Sequence, residues 1–473
     1  MKTFYLFISL MAATISYGQA ISSKLNTAVK TLERDNQFKH AIVSLYVVES
    51  KTGKVILDKN SQTGLAAASC QKIVTSASAF EILGQHFRYV TYIAKDFSVI
   101  GKGENGCLFV IGSGDPTVGS WRWQNTSDTA VFSTILTALK KQKITSFDED
   151  LIIEDYLYGL TPLSDGWIWQ DLGNYYGAAC FGFNWHENQY DISLQPGKKE
   201  GDAVEVNAIN PMLDNVILKN NIRTGKAGSG DNGYIYSSPF TNIIFCKGTI
   251  PLQKTGFTIS GSMPNPSIVF ANALYTYLIK NKIAINGKAY SANQSFINNK
   301  PVHKGTHFID SIFSPSLDSM NYWFLKKSIN LYGEAFLKSL VQKKMGLGIG
   351  DATYYKAIEV VKNFWKEKGI DHSALNIIDG SGLSPANRVT SNALVTVLQY
   401  AKQQQWFPSF YNALPEINGI KMKDGYINGV RSYSGYIKSK GGNEYTFSFI
   451  VNNFDGNAAT VREKMWQVLD ILK

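Results

Sequence analysis

Ala67-Ala68-Ser69-Cys70-Gln71-Lys72-Ile73-Val74-Thr75-Ser76-Ala77 is the stretch on which the reading of this chain turns. Nowhere else in the sequence does a lysine follow a serine by three positions. The apolar, alanine-rich run from Ile73 to Leu83 reads as a helix that these residues open. At i and i+3, the Ser69 hydroxyl and the Lys72 ammonium lie on one face, a turn apart. A lysine buried there loses its charge more easily and can take the serine proton, so the pair is a minimal nucleophile and base. The plainer reading of the tetrapeptide alone is a helix-capping serine beside a solvated lysine.

On the N-terminal side, Leu25, Val29 and Leu32 recur at helical spacing, and Ala41–Glu49 reads as a strand turning at Ser50-Lys51-Thr52-Gly53-Lys54 into Val55–Asp58. The C-terminal end mirrors this, with strands at Ser432–Lys438 and Glu444–Asn452 around a Lys440-Gly441-Gly442-Asn443 turn. A last helix there carries Val461, Met465, Val468, Leu469 and Leu472 on one stripe. Both ends thus feed one discontinuous domain, expected at 21–88 and 300–473. Residues 89–299 have a different texture, with Gly-rich turns and short strands such as Cys107–Ile111. Only two helical stretches interrupt it, near Ala130–Lys141 and Val269–Lys280, and it reads as a β-rich insert.

The whole chain has 473 residues, 44% of them hydrophobic and 18% charged, which describes a folded protein of several domains and excludes a disordered one. The net charge of +10 comes without a Lys/Arg block, so nucleic-acid binding has no support in the pattern. Lys2, the apolar run Phe4–Ile15 and the small residues to Gly18 read as a secretory signal peptide, 1–18. No later segment is apolar for long enough to be an integral membrane span, so the expected location is the periplasm. Cys70, Cys107, Cys180 and Cys246 lack metal-binding spacing. One bond, Cys180 with Cys246, is conceivable in an oxidising compartment, and buried apolar thiols are the alternative. Gly101, Gly103 and Gly106 match a dinucleotide fingerprint literally, but a strand follows where a helix is needed, so they read as a hairpin turn. No GxSxG, Walker or HExxH motif occurs, and neither a metal nor any other cofactor is called for.

Three further segments, Gly112-Ser113-Gly114-Asp115-Pro116-Thr117, Trp169-Gln170-Asp171-Leu172-Gly173-Asn174-Tyr175-Tyr176-Gly177 and Asp379-Gly380-Ser381-Gly382-Leu383-Ser384, follow the nucleophile stretch. In that order they resemble signature segments of the class C penicillin-binding proteins, the D-alanyl-D-alanine carboxypeptidase/endopeptidase family of periplasmic serine peptidases. The likeness runs from about residue 25 to the C-terminus. It implies an α+β fold, a penicillin-binding transpeptidase/β-lactamase-like domain with an antiparallel sheet flanked by helices and a helical lobe, carrying a β-rich insertion. It also implies catalysis by Ser69 and Lys72, with backbone N–H groups of Ser69 and Tyr426 as the oxyanion hole. The family's Ser-x-Asn motif resembles Ser328-Ile329-Asn330, with Ser328 relaying a proton and Asn330 holding the substrate amide. Its Lys-Thr-Gly position is similar to Lys423-Asp424-Gly425. The literal copies at Lys51-Thr52-Gly53 and Lys254-Thr255-Gly256 are out of place and read as turns.

Two departures bear on activity. Asp424 replaces a hydroxyl that faces the substrate carboxylate, which sets like charges against each other unless Lys423 absorbs them or strand alternation turns Asp424 away. The family's pocket for a diaminopimelate side chain is matched by Asp171 and Tyr176, yet Pro385 stands where an arginine is expected, and Arg388 is the nearest stand-in. The implied partners are peptidoglycan stem peptides and β-lactam antibiotics, and the implied reaction is D-Ala-D-Ala hydrolysis through an acyl-enzyme. A catalytically weak or inactive cell-wall-binding homologue is the alternative, and a serine β-lactamase a distant third.

Overall fold

In the computed structural model, residues 20–96, 105–253, 256–346 and 353–473 are described. The expected signal peptide at 1–18, most of the Gly101–Gly106 run and Lys254-Thr255 lie outside them. The chain divides into two compact units, one made of residues up to 85 with 318–329 and 358–473, the other of 86–317 with 330–357.

The first unit is built on a six-stranded antiparallel sheet in the order Glu416–Ile417, Ile420–Ile427, Val430–Lys438, Glu444–Asn452, Ile42–Glu49, Val55–Lys59. Period-two alternation gives its faces different jobs. Val43, Leu45, Val47, Phe447, Phe449, Val451 and Tyr433 form a core with the helix at residues 20–34 and the Ala458–Leu469 helix, through Leu25, Val29, Val461 and Met465. The opposite face carries small buried hydroxyls, Ser44, Ser432, Ser434, Thr446 and Ser448. These bond to the elements laid across them, Ser44 Oγ to Ser391 Oγ at 2.7 Å and Ser432 Oγ to the Ala67 carbonyl at 2.6 Å. Small side chains on that face let the nucleophile segment come close to the sheet.

The second unit has a five-stranded mixed sheet, ordered Ala289–Ser291, Leu151–Glu154, Leu108–Ile111, Val90–Lys95, His307–Phe313, and two three-stranded sheets. Helices Asp128–Lys141, capped by the Ser127 side chain, and Pro266–Lys280, capped by Asn265 with proline at its first position, pack their apolar stripes into its core. The first unit's sheet is antiparallel throughout, the second unit mixes antiparallel and parallel pairs, and helices accompany both, in keeping with the α+β expectation. The division differs from the expected boundaries at residues 86–88, 300–317 and 330–357, which group with the middle of the chain. The His307–Phe313 strand pairs with Val90–Lys95, and the Asn330–Met345 helix is buried along most of its length within this second unit.

All four cysteines are buried and unpaired, so Cys180 and Cys246 form no disulfide. No helix among the described residues is long and apolar enough to cross a membrane.

Candidate active site

Ser69 sits in a 3-10 turn, Ala68–Gln71, and Lys72 is the first residue of the α-helix Lys72–Ile82. The residue before the serine, Ala68, has φ +44, a left-handed conformation that costs an L-residue roughly 1–3 kcal/mol and persists only where its surroundings enforce it. Two glycines supply that enforcement. A Cβ on Gly382 would lie 2.0 Å from the Ala68 carbonyl oxygen, and a Cβ on Gly425 would lie 2.5 Å from the Ala67 oxygen and 2.9 Å from the Ser69 nitrogen. The nucleophile turn is therefore clasped between the 379–387 loop and the Ile420–Ile427 strand, at distances only glycine permits.

The Lys72 side chain is fully buried. Its Nζ donates to Ser69 Oγ at 2.9 Å and to the Ser381 carbonyl at 2.7 Å, and lies 5.8 Å from the centre of the Phe324 ring. The solvated-lysine reading of the tetrapeptide is thereby excluded. The same loop grips the helix at two further points, with Gln71 Nε2 donating to the Asp379 carbonyl at 2.7 Å and Thr75 Oγ1 to the Gly380 carbonyl at 2.6 Å. Asp379 organises the loop, because its carboxylate accepts from the backbone of Gly382 and Ser384 and from Asn387 Nδ2 at 2.7–3.0 Å. Asp379 and Ser381 are the residues sequence reasoning left without a role, although the stretch containing them was singled out.

Beside Ser69 runs the Ile420–Ile427 strand. On one side it pairs with Val430–Lys438 throughout, whereas on the other Glu416–Ile417 covers only Ile420 and Lys421. From Lys423 to Tyr426 the outer edge has no strand partner among the described residues. Cys70 Sγ donates to the Lys423 carbonyl at 3.2 Å and ties the turn to that edge. Lys423 and Gly425 share a row with Ser434 and Ser432, whereas Asp424 falls opposite Tyr433 in the other row. Lys423, almost fully buried, bends back to its neighbour: its Nζ lies 2.9 Å from Asp424 Oδ1 and 2.8 Å from the Asp424 carbonyl. Burial pushes the Asp424 carboxyl up, but the Lys423 ammonium and Arg431 more than reverse this and hold it below the usual aspartate value. Asp424 is thus a carboxylate at neutral pH, and its charge is met by Lys423. Tyr426 is half exposed.

Ser328 belongs to the same unit, is partly buried, and has φ +58. Asn330 opens the Asn330–Met345 helix of the second unit, where its Nδ2 donates to the Tyr176 carbonyl at 2.7 Å. Asp171 lies in the one-turn helix Trp169–Leu172, and Tyr176 follows in the next turn. Burial raises the Asp171 carboxyl to about 6, and burial together with the Asp171 charge pushes the Tyr176 phenol up. The segment is clamped to the Asn232–Tyr236 strand: a Cβ on Gly173 would lie 2.2 Å from the Ile235 oxygen, and Asn174 Oδ1 accepts from the Ile235 amide at 3.1 Å. In the first unit, Arg388 turns onto its own loop, Nη1 donating to the carbonyls of Pro385 and Asn387 at 2.7 and 2.8 Å.

Residues 25–472 match the D-Ala-D-Ala carboxypeptidase 3 (S13) family. The chain belongs to this family. Within it, the protein is 24% identical over 463 residues to the D-alanyl-D-alanine carboxypeptidase of an Actinomadura strain, covering 92% of this chain and 82% of that one. Its fold is similar to that of penicillin-binding protein 4 (DacB) of Haemophilus influenzae, with TM-score 0.76, 20% identity, and 92% and 97% of the two chains covered. A structure of that Haemophilus protein complexed with a β-lactam superposes with TM-score 0.71 at 19% identity over 92% of this chain and 96% of that one. This S13 member therefore carries the serine–lysine pair in the setting of a serine D-Ala-D-Ala carboxypeptidase family.

Proposed function

We propose that this S13-family protein is a periplasmic, penicillin-binding D-Ala-D-Ala carboxypeptidase/endopeptidase that works through an acyl-enzyme on Ser69. The observation that carries the reading is the buried Lys72 ammonium at 2.9 Å from the Ser69 hydroxyl. As the neutral amine, Lys72 takes the serine proton as Oγ attacks the carbonyl of the penultimate D-alanine. The open edge from Lys423 to Tyr426 suits an extended peptide stem laid alongside as an added strand. The Ser69 and Tyr426 amides are the donors assigned to the developing oxyanion, where a preorganised donor is worth on the order of a hundredfold or more. Ser328 is assigned to pass the proton to the leaving D-alanine, and Asn330, Asp171 and Tyr176 to position the stem. Water then releases the shortened peptide and regenerates Ser69.

Intact-mass measurement after mixing with a penicillin tests this. The expected result is one added penicillin mass on the native chain and none on Ser69→Ala. Labelling of the variant at the native rate overturns the assignment. The Lys423–Asp424 ion pair favours a second reading, a weakly catalytic wall-binding homologue, because a substrate carboxylate must compete with Asp424 for the same ammonium.

A further inference from the structure

Glu187, a fully buried carboxylate of the second unit, takes no part in the chemistry assigned to Ser69. Its Oε1 accepts from the Ser120 hydroxyl, from Arg122 Nε and from the Tyr332 hydroxyl, each at 2.7 Å, and its Oε2 accepts from Arg122 Nη2 at 3.0 Å. Ser120 and Arg122 belong to the loop that precedes the Asp128–Lys141 helix. Tyr332 comes from elsewhere, in the first turn of the Asn330–Met345 helix, two residues after Asn330. Burial and the Glu187 charge push its phenol well above the ordinary value, so it stays protonated and donates.

The backbone that presents Glu187 is held as firmly as its side chain. His186, Glu187 and Asn188 have φ of +56, +51 and +52, three successive non-glycine residues in the left-handed region. Such conformations persist where surrounding bonds over-determine them. Asn188 supplies two of those bonds: its Oδ1 accepts from the Trp185 amide at 2.9 Å, and its Nδ2 donates to the Ala179 carbonyl at 2.7 Å. Ala179 lies three residues beyond Tyr176, whose carbonyl accepts from Asn330 Nδ2 at 2.7 Å. The contacts close a ring. Neighbouring residues of one rigid turn hold the helix that begins with Asn330 and the segment that carries Tyr176, and Asn330 joins the two.

Packing alone does not account for the Tyr332 hydroxyl. The Tyr332 ring is already buried and stacked on Trp123, with ring centres 6.4 Å apart, and a phenylalanine would keep that contact. Nor does a buried Arg–Glu pair add much net stability over apolar side chains of the same size. What the short bond to Glu187 adds is a fixed place for the start of the helix.

We propose that Glu187 is a positioning residue that acts through the Tyr332 hydroxyl to set Asn330 against the peptide stem. The proposal rests on Asn330 holding the substrate amide.

A double-mutant cycle on the full-length enzyme tests it, with kcat and KM measured on a peptide ending in D-Ala-D-Ala and long incubations to read slow variants through the released D-alanine. Tyr332→Phe should lower kcat by about tenfold and change KM by less than about threefold. In an Asn330→Ala background the same substitution should cost less than about twofold, because the residue it acts through is gone. Glu187→Gln keeps the size and an acceptor oxygen but gives up the charge, and it should follow the same pattern. Native kcat in Tyr332→Phe would overturn the proposal. So would an equal loss from Tyr332→Phe with and without the Asn330 side chain, which is the mark of a merely structural hydroxyl. Native activity in Asn330→Ala would instead remove the role of Asn330 itself, and the proposal with it.

Discussion

Lys72 and Lys338 are buried to the same degree and do different things. Both are fully shielded from solvent, and both donate to backbone carbonyls: Lys72 to Ser381, Lys338 to Thr161 at 2.8 Å and Cys180 at 3.3 Å. Lys72 has a hydroxyl 2.9 Å away. Lys338 instead lies 4.7 Å from the centres of the Tyr158 and Tyr354 rings, and burial lowers its ammonium to about 8. Burial alone therefore does not make a lysine a base. What separates the two sites is the serine hydroxyl 2.9 Å from Lys72, whereas Lys338, beside Cys180 and Glu334, is a strut that fastens the two ends of the loop bearing Asp171 and Tyr176. Lys423 is a third case, buried and answered by a carboxylate.

The comparison breaks most visibly at Lys72. Lys72→Met should slow penicillin acylation by roughly a hundred- to ten-thousandfold, whereas Lys338→Met should leave it within about threefold. Similar losses in both, measured by stopped-flow with a fluorescent penicillin, would mean that burial and not position is what matters.

Lys338 should reveal itself through stability. Its folded value near 8 lies below the ordinary 10.5, so between those two values the unfolded chain binds more protons and this group's contribution rises with pH. The cost is present in full below pH 8. Relative to Lys338→Met, the native protein should gain up to roughly 3 kcal/mol between pH 7 and 10.5 in denaturant titrations. A flat difference across that range would show that burial does not lower the Lys338 ammonium below its ordinary value.

Asp171 probes what that strut holds in place. Asp171→Ala should lower kcat/KM by about tenfold on stems ending in a free diaminopimelate amine and much less on stems with that amine acetylated. With a carboxyl value near 6, the native preference for the free amine should fade as pH drops through 6, well above the range of an ordinary aspartate. Equal losses on both stems would reduce Asp171 to a support for its own turn.

The smallest effect is expected at Asp424. Releasing Lys423 with Asp424→Asn should raise kcat/KM on free-acid D-Ala-D-Ala peptides by about three- to tenfold. A fall would mean that the carboxylate is needed to orient the lysine.

The flanking elements were legible because each obeys one period: Leu25, Val29 and Leu32 at helical spacing, and Ser432–Lys438 and Glu444–Asn452 in alternation, came out where the pattern put them. The Asn330–Met345 helix groups with the middle of the chain, which the pattern of short strands and turns there did not signal. Lys338 lies inside because two carbonyls and two rings receive it, and no periodicity announces such partners. Ser69 and Lys72 could be paired by local spacing. Asp379 and Ser381 could not be assigned, since they meet the nucleophile from some 300 residues away and a Gly/Ser-rich loop reads only as a turn. For Asp424 the sequence left two outcomes open, facing the substrate or turned away, because its row in the strand depends on the register with Tyr433.

The four unpaired thiols make the molecule a gauge of its own opening. Cys70 lies in one unit and Cys107, Cys180 and Cys246 in the other, all shut away from solvent, and burial holds Cys70 at about 11 and the other three at about 12. An added thiol reagent can react only when the surrounding structure lets go, so the rate at which each cysteine is tagged reads the opening of its own neighbourhood. Mass spectrometry of tagged peptides would follow the two units separately in a single sample, with no label engineered into the chain.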